Sequence, residues 1–382
     1  MKHVIIILIL AFFLLALAAP AALALDIEAA AAILIDAESG RVLFAQEAHA
    51  QLPVASLTKI LTALLTLEHY SNLRQTYTLP ADFVNVGESN IALEAGETHT
   101  IEDLLYALML RSANDAAQAL ALAVAGSESA FARLMNERCL ELGLKESNWL
   151  NPHGLHNEDH YSSAYDLAFI TRAAMGIPMF NTLIKAPSHT IPWPGQEEDR
   201  IVTSHNRLLD IYPGADGVKT GYTLKAGNCL VGSATRNGLR LIGVVLNSED
   251  TCAQMGLLLD HGFANYELRQ VAAFGGVAAR IPVLNGRADS INAVFGGNVR
   301  LLFAKGAAAG PQPQLKLPPQ LITPIDRLKP LGEAIFSDGA GNEKTVQLYP
   351  ANDMESFTLR ALIREAFLSI MRVMIEKPVN SV

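Results

Sequence analysis

The stretch "LPVASLTKIL", Leu52 to Leu61, places one lysine inside an otherwise apolar segment that reads as a helix. Ser56 stands three positions before Lys59, so a helix would carry both side chains on one face, close enough to pass a proton. A buried ammonium is costly unless it is paired or loses its proton. Lys59 is therefore either a surface side chain without a chemical role or a buried one whose lowered pKa lets the neutral amine act as a base.

Two further groups of polar residues accompany this pair. "RSANDAA" places Ser112 and Asn114 at the junction of two helical stretches, and "GVKTGYT" places Lys219 on a strand-like segment. Each group alone has an ordinary structural explanation, because serine and asparagine cap helices and a lysine can be a solvated charge on a strand. The ordered set of serine–x–x–lysine, serine–x–asparagine and lysine–threonine–glycine is far more specific, and it is typical of enzymes with an acylated serine.

The chain resembles the low-molecular-mass penicillin-binding proteins, the serine-type D-alanyl-D-alanine carboxypeptidases of bacterial cell-wall metabolism. The resemblance covers nearly all of the sequence after residue 24, through "VASLTKILTALL", "LMLRSANDAA", "NPHGLHNEDHYSSAYDLA", "YPGADGVKTGYTLKAGNCLVGSATRNG" and "ITPIDRLKPLG". It implies an α/β (α+β) penicillin-binding/β-lactamase-like transpeptidase fold with an antiparallel sheet and a helical subdomain. A small C-terminal β-rich domain and a terminal amphipathic helix would follow.

The resemblance also implies the reaction. Ser56 would be the acylated nucleophile, Lys59 the base that takes its proton, and Ser112 the relay to the leaving D-alanine. The substrate would be the stem pentapeptide of peptidoglycan, and β-lactam antibiotics would trap the enzyme by imitating the acyl-D-alanyl-D-alanine end. No cofactor is expected, because a nucleophile, a base and fixed dipoles suffice for acyl transfer.

Five residues are expected to bind the substrate. By the resemblance, Asn114 would hold the peptide amide, Lys219 would keep a positive potential over the cleft, and Thr220 would bind the terminal carboxylate. The oxyanion would lie between the backbone N–H of the nucleophile and that of Tyr222, which follows Gly221.

One position departs from the family's pattern. Some relatives carry an arginine ahead of the lysine–threonine–glycine strand, where it contacts the substrate carboxylate. In "SHNRLLD" His205 takes the corresponding place and Arg207 lies nearby, so the sequence leaves open whether Arg207 contacts the carboxylate.

Three other functions compete with this hypothesis. A class A β-lactamase needs a glutamate for deacylation, and no convincing match to that motif lies between Asn114 and Lys219. A zinc peptidase could use His153, His156 and His160 of "HGLHNEDH", although H-E-x-x-H is missing and "NPHG" favours a loop. A non-catalytic wall-binding protein would have little reason to keep all the polar groups described above.

The order of elements predicts one large domain over residues 25–270. A hairpin is expected within 30–46, and helices are expected over 56–69, 101–111, 115–125, 131–142 and 164–174. Strands built from "DGVKTGYT" and "NCLVGSATRNGLRLIGVVLNS" follow, and "RNG" in the latter predicts a second hairpin turn between two apolar runs. Short β-like pieces separated by glycine and proline predict a small β-sandwich domain over 271–352. Residues 353–382 are amphipathic and charged, which favours a helix lying on a membrane surface, the alternative being a helix packed on the protein's own core.

The two remaining sequence features concern location and redox state. Residues 1–24 read as a secretory signal, so the mature chain would begin near Leu25 on the outer side of the cytoplasmic membrane; a retained membrane anchor is the alternative. Loss of Lys2 takes the net charge from −9 to −10, which argues against nucleic acid as a partner. Cys139, Cys229 and Cys252 form neither a disulfide framework nor a metal pattern, and small buried thiols are expected, although one pair could bridge.

Overall fold

The computed structural model describes residues 25–308, 310, 312–338, 342–357, 363–364 and 366–371. The predicted signal segment, 1–24, lies outside the described residues. These residues divide into two compact units. Unit 1 comprises the described part of Met1–Leu34 together with Phe44–Ser233 and Ile242–His261, and unit 2 comprises Ile35–Leu43, Ala234–Leu241 and the described part of Gly262–Val382. The predicted domain limits at residues 270 and 352 stay predictions.

The first part of the chain contains nine strands and eight α-helices among the described residues up to Asn265. The strands are β1 (Ala31–Asp36), β2 (Val42–Gln46), β3 (Thr76–Thr78), β4 (Thr98–Thr100), β5 (Ser188–Ile191), β6 (Arg200–Thr203), β7 (Ala215–Thr223), β8 (Gly227–Arg236) and β9 (Leu239–Leu246). The helices are α1 (Lys59–His69), α2 (Ile101–Tyr106), α3 (Asn114–Ala125), α4 (Glu128–Glu141), α5 (Ala164–Met175), α6 (Pro178–Lys185), α7 (Leu208–Ile211) and α8 (Thr251–Asn265).

A five-stranded sheet in the order β2-β1-β9-β8-β7 forms the framework. The two predicted hairpins are present, and the turn between β8 and β9 has Asn237 and Gly238 at φ 53° and 83°, the left-handed conformations that a tight hairpin turn requires. β1 is buried along its whole length and β9 at every position except Arg240, and most of these buried residues are Ala, Ile, Leu and Val, as in strands covered on both faces. The sheet therefore gives β7, which carries Lys219, a rigid support.

The helices confirm the predicted helical middle, with local differences in their ends. The segment predicted as one helix over 56–69 begins with a 3-10 turn, Ala55–Thr58, and the segment 101–111 is α2 followed by a wider π-helical turn, Ala107–Arg111. α4 starts earlier than predicted because the Ser127 hydroxyl accepts from the Ala130 N–H and caps it. Within the described residues no single helix is long and apolar enough to cross a membrane, and α5 with α6 would qualify only as a pair bent by 108°.

The rest of the chain is β-rich, as predicted. Its strands are β10 (Tyr266–Ala272), β11 (Val277–Leu284), β12 (Ser290–Phe295), β13 (Val299–Ala304), β14 (Gln314–Lys316), β15 (Leu321–Ile322), β16 (Gly332–Ser337) and β17 (Glu343–Pro350). A six-stranded sheet has the order β14-β16-β17-β12-β11-β15, and β10 pairs with β13. Phe295, Phe336 and Leu348 lie in its buried core.

The predicted terminal helix over 353–382 lies largely outside the described residues. Its predicted start is wrong, because Met354 is paired with Ile325 in a β-bridge and its side chain is buried with Val283 and Ile291. Residues 363–364 and 366–371 are helical, and Ile363 and other large apolar side chains of this stretch are exposed. The helical residues that the structure describes thus begin at Ile363, whereas the sequence pattern predicts a helix from residue 353.

Candidate active site

Ser56 and Lys59 lie at the start of α1, a helix in which most residues are buried. Ser56 is half-buried in the 3-10 turn, and Lys59 begins α1 with its side chain fully buried. The Nζ of Lys59 is 3.0 Å from the Oγ of Ser56. The predicted proton-transfer pair is therefore in direct contact.

The Nζ of Lys59 has two further partners, and both are pure acceptors. It donates to the Oδ1 of Asn114 at 2.7 Å and to the backbone carbonyl of His153 at 2.6 Å. Burial lowers the pKa of Lys59 well below its ordinary value, and the charge of Lys219 lowers it further. The carboxylates of Glu88 and Asp115 oppose this shift in the pKa.

The His153 carbonyl belongs to the "NPHG" loop, which sequence reasoning identified as a loop but not as part of the site. Asn151 shapes it by accepting from the Gly154 N–H at 2.7 Å, and the Pro152 carbonyl accepts from Thr62 on α1 at 2.6 Å. A Cβ on Gly154 would lie 1.9 Å from the carbonyl oxygen of Ala55, so only glycine allows this close approach. The loop is thereby fixed against the turn that carries Ser56.

Asn114 opens α3 and is buried, and its amide spans two parts of the site. Besides the contact with Lys59, its Nδ2 donates to the Gly87 carbonyl at 3.1 Å. One N–H of Nδ2 and one lone pair of Oδ1 stay available for a substrate. Ser112, two residues earlier, ends the π-helical turn with φ 61° and ψ 31°, and this left-handed conformation separates the turn from α3.

Strand β7 passes close to Ser56. A Cβ on Gly221 would come within 3.1 Å of the Ser56 backbone nitrogen and 3.2 Å of the Val54 carbonyl, so a larger residue would push the strand away. Lys219 is buried, its Nζ donates to the Thr220 carbonyl at 2.9 Å, and burial lowers its pKa to about 7.

A cleft of about 390 Å³ brings most of the predicted residues together. Ser56, Ser112, Thr220, Gly221 and Tyr222 line it. Lys59, Asn114 and Lys219 are buried beneath its surface, where Lys59 contacts Ser56, Lys219 contacts the Thr220 carbonyl, and Asn114 contacts Lys59. The structure therefore assembles one site from segments that are far apart in sequence.

Cationic side chains follow one side of the cleft. Arg207 and His205 both line it, and the Nη1 of Arg111 lies 2.8 Å from the Nε2 of His205. Burial, then the charges of Arg111 and Lys219, lower the pKa of His205. No feature of the sequence indicates that Arg111 reaches this group.

The three histidines considered as zinc ligands have separate structural roles. The two ring nitrogens of His160 contact Thr58 Oγ1 and the Leu150 N–H, at 2.9 and 3.1 Å, and burial lowers its pKa to about 4. His153 accepts from the Leu155 N–H through Nδ1. Across the part of the chain that the structure describes, no three His, Cys, Asp or Glu residues are grouped to hold a metal ion.

The family model described as D-alanyl-D-alanine carboxypeptidase, peptidase S11, matches residues 17–250. The chain belongs to this family. The carboxypeptidase is 32% identical over 319 residues to D-alanyl-D-alanine carboxypeptidase DacF of Bacillus subtilis, with 81% of each chain covered. It is 32% identical to DacA of Escherichia coli, covering 74% of this chain and 72% of the relative. Neither the β-lactamase nor the zinc-peptidase alternative finds support among these relatives.

Solved structures show the same fold. This carboxypeptidase is similar to the peptidoglycan synthesis regulatory factor PBP3 of Streptococcus pneumoniae, with a TM-score of 0.73, 27% identity, and coverage of 87% of this chain and 100% of that one. Penicillin-binding protein 5 of Haemophilus influenzae gives a TM-score of 0.64 at 27% identity and covers 87% and 99%. The predicted penicillin-binding fold is confirmed, and members of the family act on the cell wall outside the cytoplasm.

Proposed function

We propose that this D-alanyl-D-alanine carboxypeptidase works through an acyl-enzyme on Ser56, with neutral Lys59 as its base. The observation that carries the proposal is the set of partners around the Lys59 Nζ. A neutral amine has two N–H donors and one lone pair. The amide oxygen of Asn114 and the carbonyl of His153 take both donors, so the lone pair is left to accept the Ser56 proton.

The reaction then proceeds in two acyl transfers. Ser56 Oγ bonds to the carbonyl carbon of the penultimate D-alanine as its proton passes to Lys59. Collapse of the tetrahedral intermediate breaks the C–N bond as Ser112 gives its proton to the departing amine of D-alanine and takes the proton held by Lys59. Lys59 is thereby neutral again. Water next attacks the ester carbon, its proton returns to Ser56 Oγ through Lys59, and the shortened stem peptide leaves.

The residues around the cleft bind the terminal carboxylate, the peptide group and the oxyanion of the reacting substrate. Thr220 binds the terminal carboxylate in the field of Lys219, and the second N–H of Asn114 Nδ2 binds the peptide. The N–H groups of Ser56 and Tyr222 stabilise the oxyanion, an arrangement that the close approach of Gly221 to Ser56 supports.

Labelling with a fluorescent penicillin tests the nucleophile directly. Wild-type protein and Ser56→Ala are incubated with the label, separated by denaturing electrophoresis and digested to locate the adduct. We expect a label on the peptide that contains Ser56 in wild type and none in the variant. D-alanine release from a peptide ending in D-alanyl-D-alanine should stop in the same variant. An unlabelled wild type, or equal labelling of the variant, would refute the assignment.

We further propose that residues 1–24 direct secretion and that residues 358–382 attach the enzyme to the outer face of the cytoplasmic membrane, where it meets its peptidoglycan substrate. The composition of both segments supports this. Deleting residues 358–382 should release the secreted enzyme from sedimenting membranes while leaving D-alanine release intact. Continued sedimentation of the truncated enzyme would contradict the attachment.

A further inference from the structure

Residues 85–93 form a loop that reaches the catalytic residues through Asn114. The Gly87 carbonyl accepts from the Nδ2 of Asn114, and the Ser89 carbonyl accepts from its backbone N–H at 2.7 Å. The Ser89 hydroxyl donates to the Arg111 carbonyl at 2.9 Å, and Ser89 also lines the cleft. The loop is therefore both a wall of the cleft and a support for Asn114.

A fully buried carboxylate holds this loop in place. The Oδ2 of Asp115 accepts from Asn85 Nδ2 at 3.1 Å, from the Ile91 N–H at 3.1 Å and from the Leu93 N–H at 3.0 Å. Its Oδ1 accepts from the Ala116 N–H at 2.9 Å, so both oxygens face N–H donors. Burial raises the pKa of Asp115, whereas these backbone hydrogen bonds lower it by favouring the ionised carboxylate. Asn85 also accepts from the Gly87 N–H at 2.9 Å, which links Asp115 to the carbonyl that contacts Asn114.

The orientation of the Asn114 amide decides what Lys59 can do. With Gly87 accepting from Nδ2, the amide oxygen faces Lys59 and takes one of its N–H groups. A reversed amide would present N–H groups to the lysine instead. The lone pair of neutral Lys59 would then accept from Asn114 and would no longer be free for the Ser56 proton.

We propose that Asp115 is a positioning residue: by clamping residues 85–93 it fixes the Gly87 carbonyl, which sets the Asn114 amide so that Lys59 keeps its lone pair for Ser56. Asp115 touches neither the substrate nor Lys59. This inference rests on the proposed roles of Ser56 and Lys59, and it assigns a role to a residue that sequence reasoning did not single out.

The acylation rate as a function of pH is the readout, because it reports the protonation of Lys59. The charges acting on Lys59 are those of Lys219 on β7, Glu88 in the loop and Asp115 on α3, with His160 also within electrostatic reach. Asp115→Asn removes a negative charge and allows the Asn114 amide to reverse. Both changes disfavour the ammonium form of Lys59, so they act in the same direction on its pKa.

We expect Asp115→Asn to lower the plateau rate constant for acylation by fluorescent penicillin at least tenfold and to move the acidic limb of the profile to lower pH. Asn85→Ala, which cuts the link to Gly87 without altering the carboxylate, should lower the plateau too and decides the matter if Asp115→Asn fails to fold. Asp166→Asn is the matched control. Asp166 is also buried in the first turn of a helix, α5, and accepts from the Glu146 N–H and Ser147, away from Lys59.

The Asp166→Asn control should lose stability but keep the wild-type plateau rate constant for acylation and the wild-type acidic limb of the pH profile. The inference is overturned if the folded Asp115→Asn and Asn85→Ala variants acylate with the wild-type plateau rate constant. It is also overturned if their rate constants fall only in proportion to their melting temperatures, as any fall in Asp166→Asn would, while the acidic limb of the pH profile stays at its wild-type position. An unlabelled wild type would instead refute the acyl-enzyme on Ser56, on which this inference rests. The two failures are thus distinguished by the wild-type sample.

Discussion

Replacing Lys219 tests whether the buried charge of the site lowers the free energy of unfolding. Its side chain is buried, has one hydrogen bond to the Thr220 carbonyl, and has a pKa lowered by burial from an ordinary 10.5 to about 7. A lowered lysine pKa means that the unfolded chain binds the proton more tightly than the folded one. The lysine therefore opposes folding most strongly at low pH, and this opposition fades as pH rises from 7 to 10.5.

The expected size follows from the two pKa values. At about 1.36 kcal/mol per pH unit, the unfavourable contribution of Lys219 is roughly 4 kcal/mol at pH 7.5 and roughly 2 kcal/mol at pH 9.0. Lys219→Met keeps an apolar chain of similar length and removes the charge. The variant should thus be more stable than wild type at pH 7.5, and its advantage should shrink by about 2 kcal/mol at pH 9.0. D-alanine release should be lost.

Urea unfolding followed by tryptophan fluorescence measures this difference. Trp149 and Trp193 both lie in unit 1, so the signal reports the unit that contains Lys219. Lys225→Met is the matched control, because Lys225 is exposed in the connection between β7 and β8 and its replacement relieves no burial. Titrating groups that Lys219 does not influence cancel when variants are compared at one pH, and loss of the Lys219 charge raises the pKa of Lys59, which also favours the variant at pH 7.5. A Lys219→Met advantage that is absent at pH 7.5, or equal at both pH values, would refute the reasoning.

Three further outcomes follow from single contacts. Since burial lowers the pKa of His160 to about 4, its neutral ring contributes stability above pH 6.5 that is lost toward pH 4, and the unfolding free energy of wild type relative to His160→Gln should fall by about 2 to 3 kcal/mol over that range. Gly154→Ala should lower both melting temperature and acylation rate, because its Cβ meets the Ala55 carbonyl. Gly126→Ala, also at positive φ but with open space around it, should lower only the melting temperature, and equal acylation by the two variants would contradict this. Ellman's reagent should titrate at most one of the three thiols in native protein, that of Cys252, and all three in urea.

The fold and the contact between Ser56 and Lys59 could both be predicted from the sequence. Hydrophobic periodicity located the helices of the middle of unit 1, and the asparagine–glycine turn located the β8–β9 hairpin. The spacing of Ser56 and Lys59 required only one helical turn to bring them together, and their 3.0 Å contact agrees with it. Local geometry of this kind can be worked out from spacing alone.

What the sequence could not show is supplied by backbone atoms and by distant segments. The His153 carbonyl accepts from Lys59, and the Gly87 carbonyl accepts from Asn114. Every residue has a backbone carbonyl, so the residue types in the sequence do not indicate which carbonyl takes part. Arg111 and His205 are 94 positions apart, and the sequence around neither residue predicts the 2.8 Å contact between their side chains. The start of the terminal helix was misjudged at Met354, because this residue pairs with Ile325 in a β-bridge and its side chain fills a small core.

The two buried lysines of the site are best understood together. Lys219 has its pKa lowered by burial, and its charge in turn is a cause of the low pKa of Lys59. On the proposed roles, a substrate carboxylate that reaches Thr220 brings a negative charge close to Lys219 and favours its protonated form. A charged Lys219 then disfavours a proton on Lys59, so the arriving substrate prepares the base that attacks it through Ser56. This coupling explains why a cation that opposes folding is useful at this position, and why its removal should stabilise the protein while ending its activity.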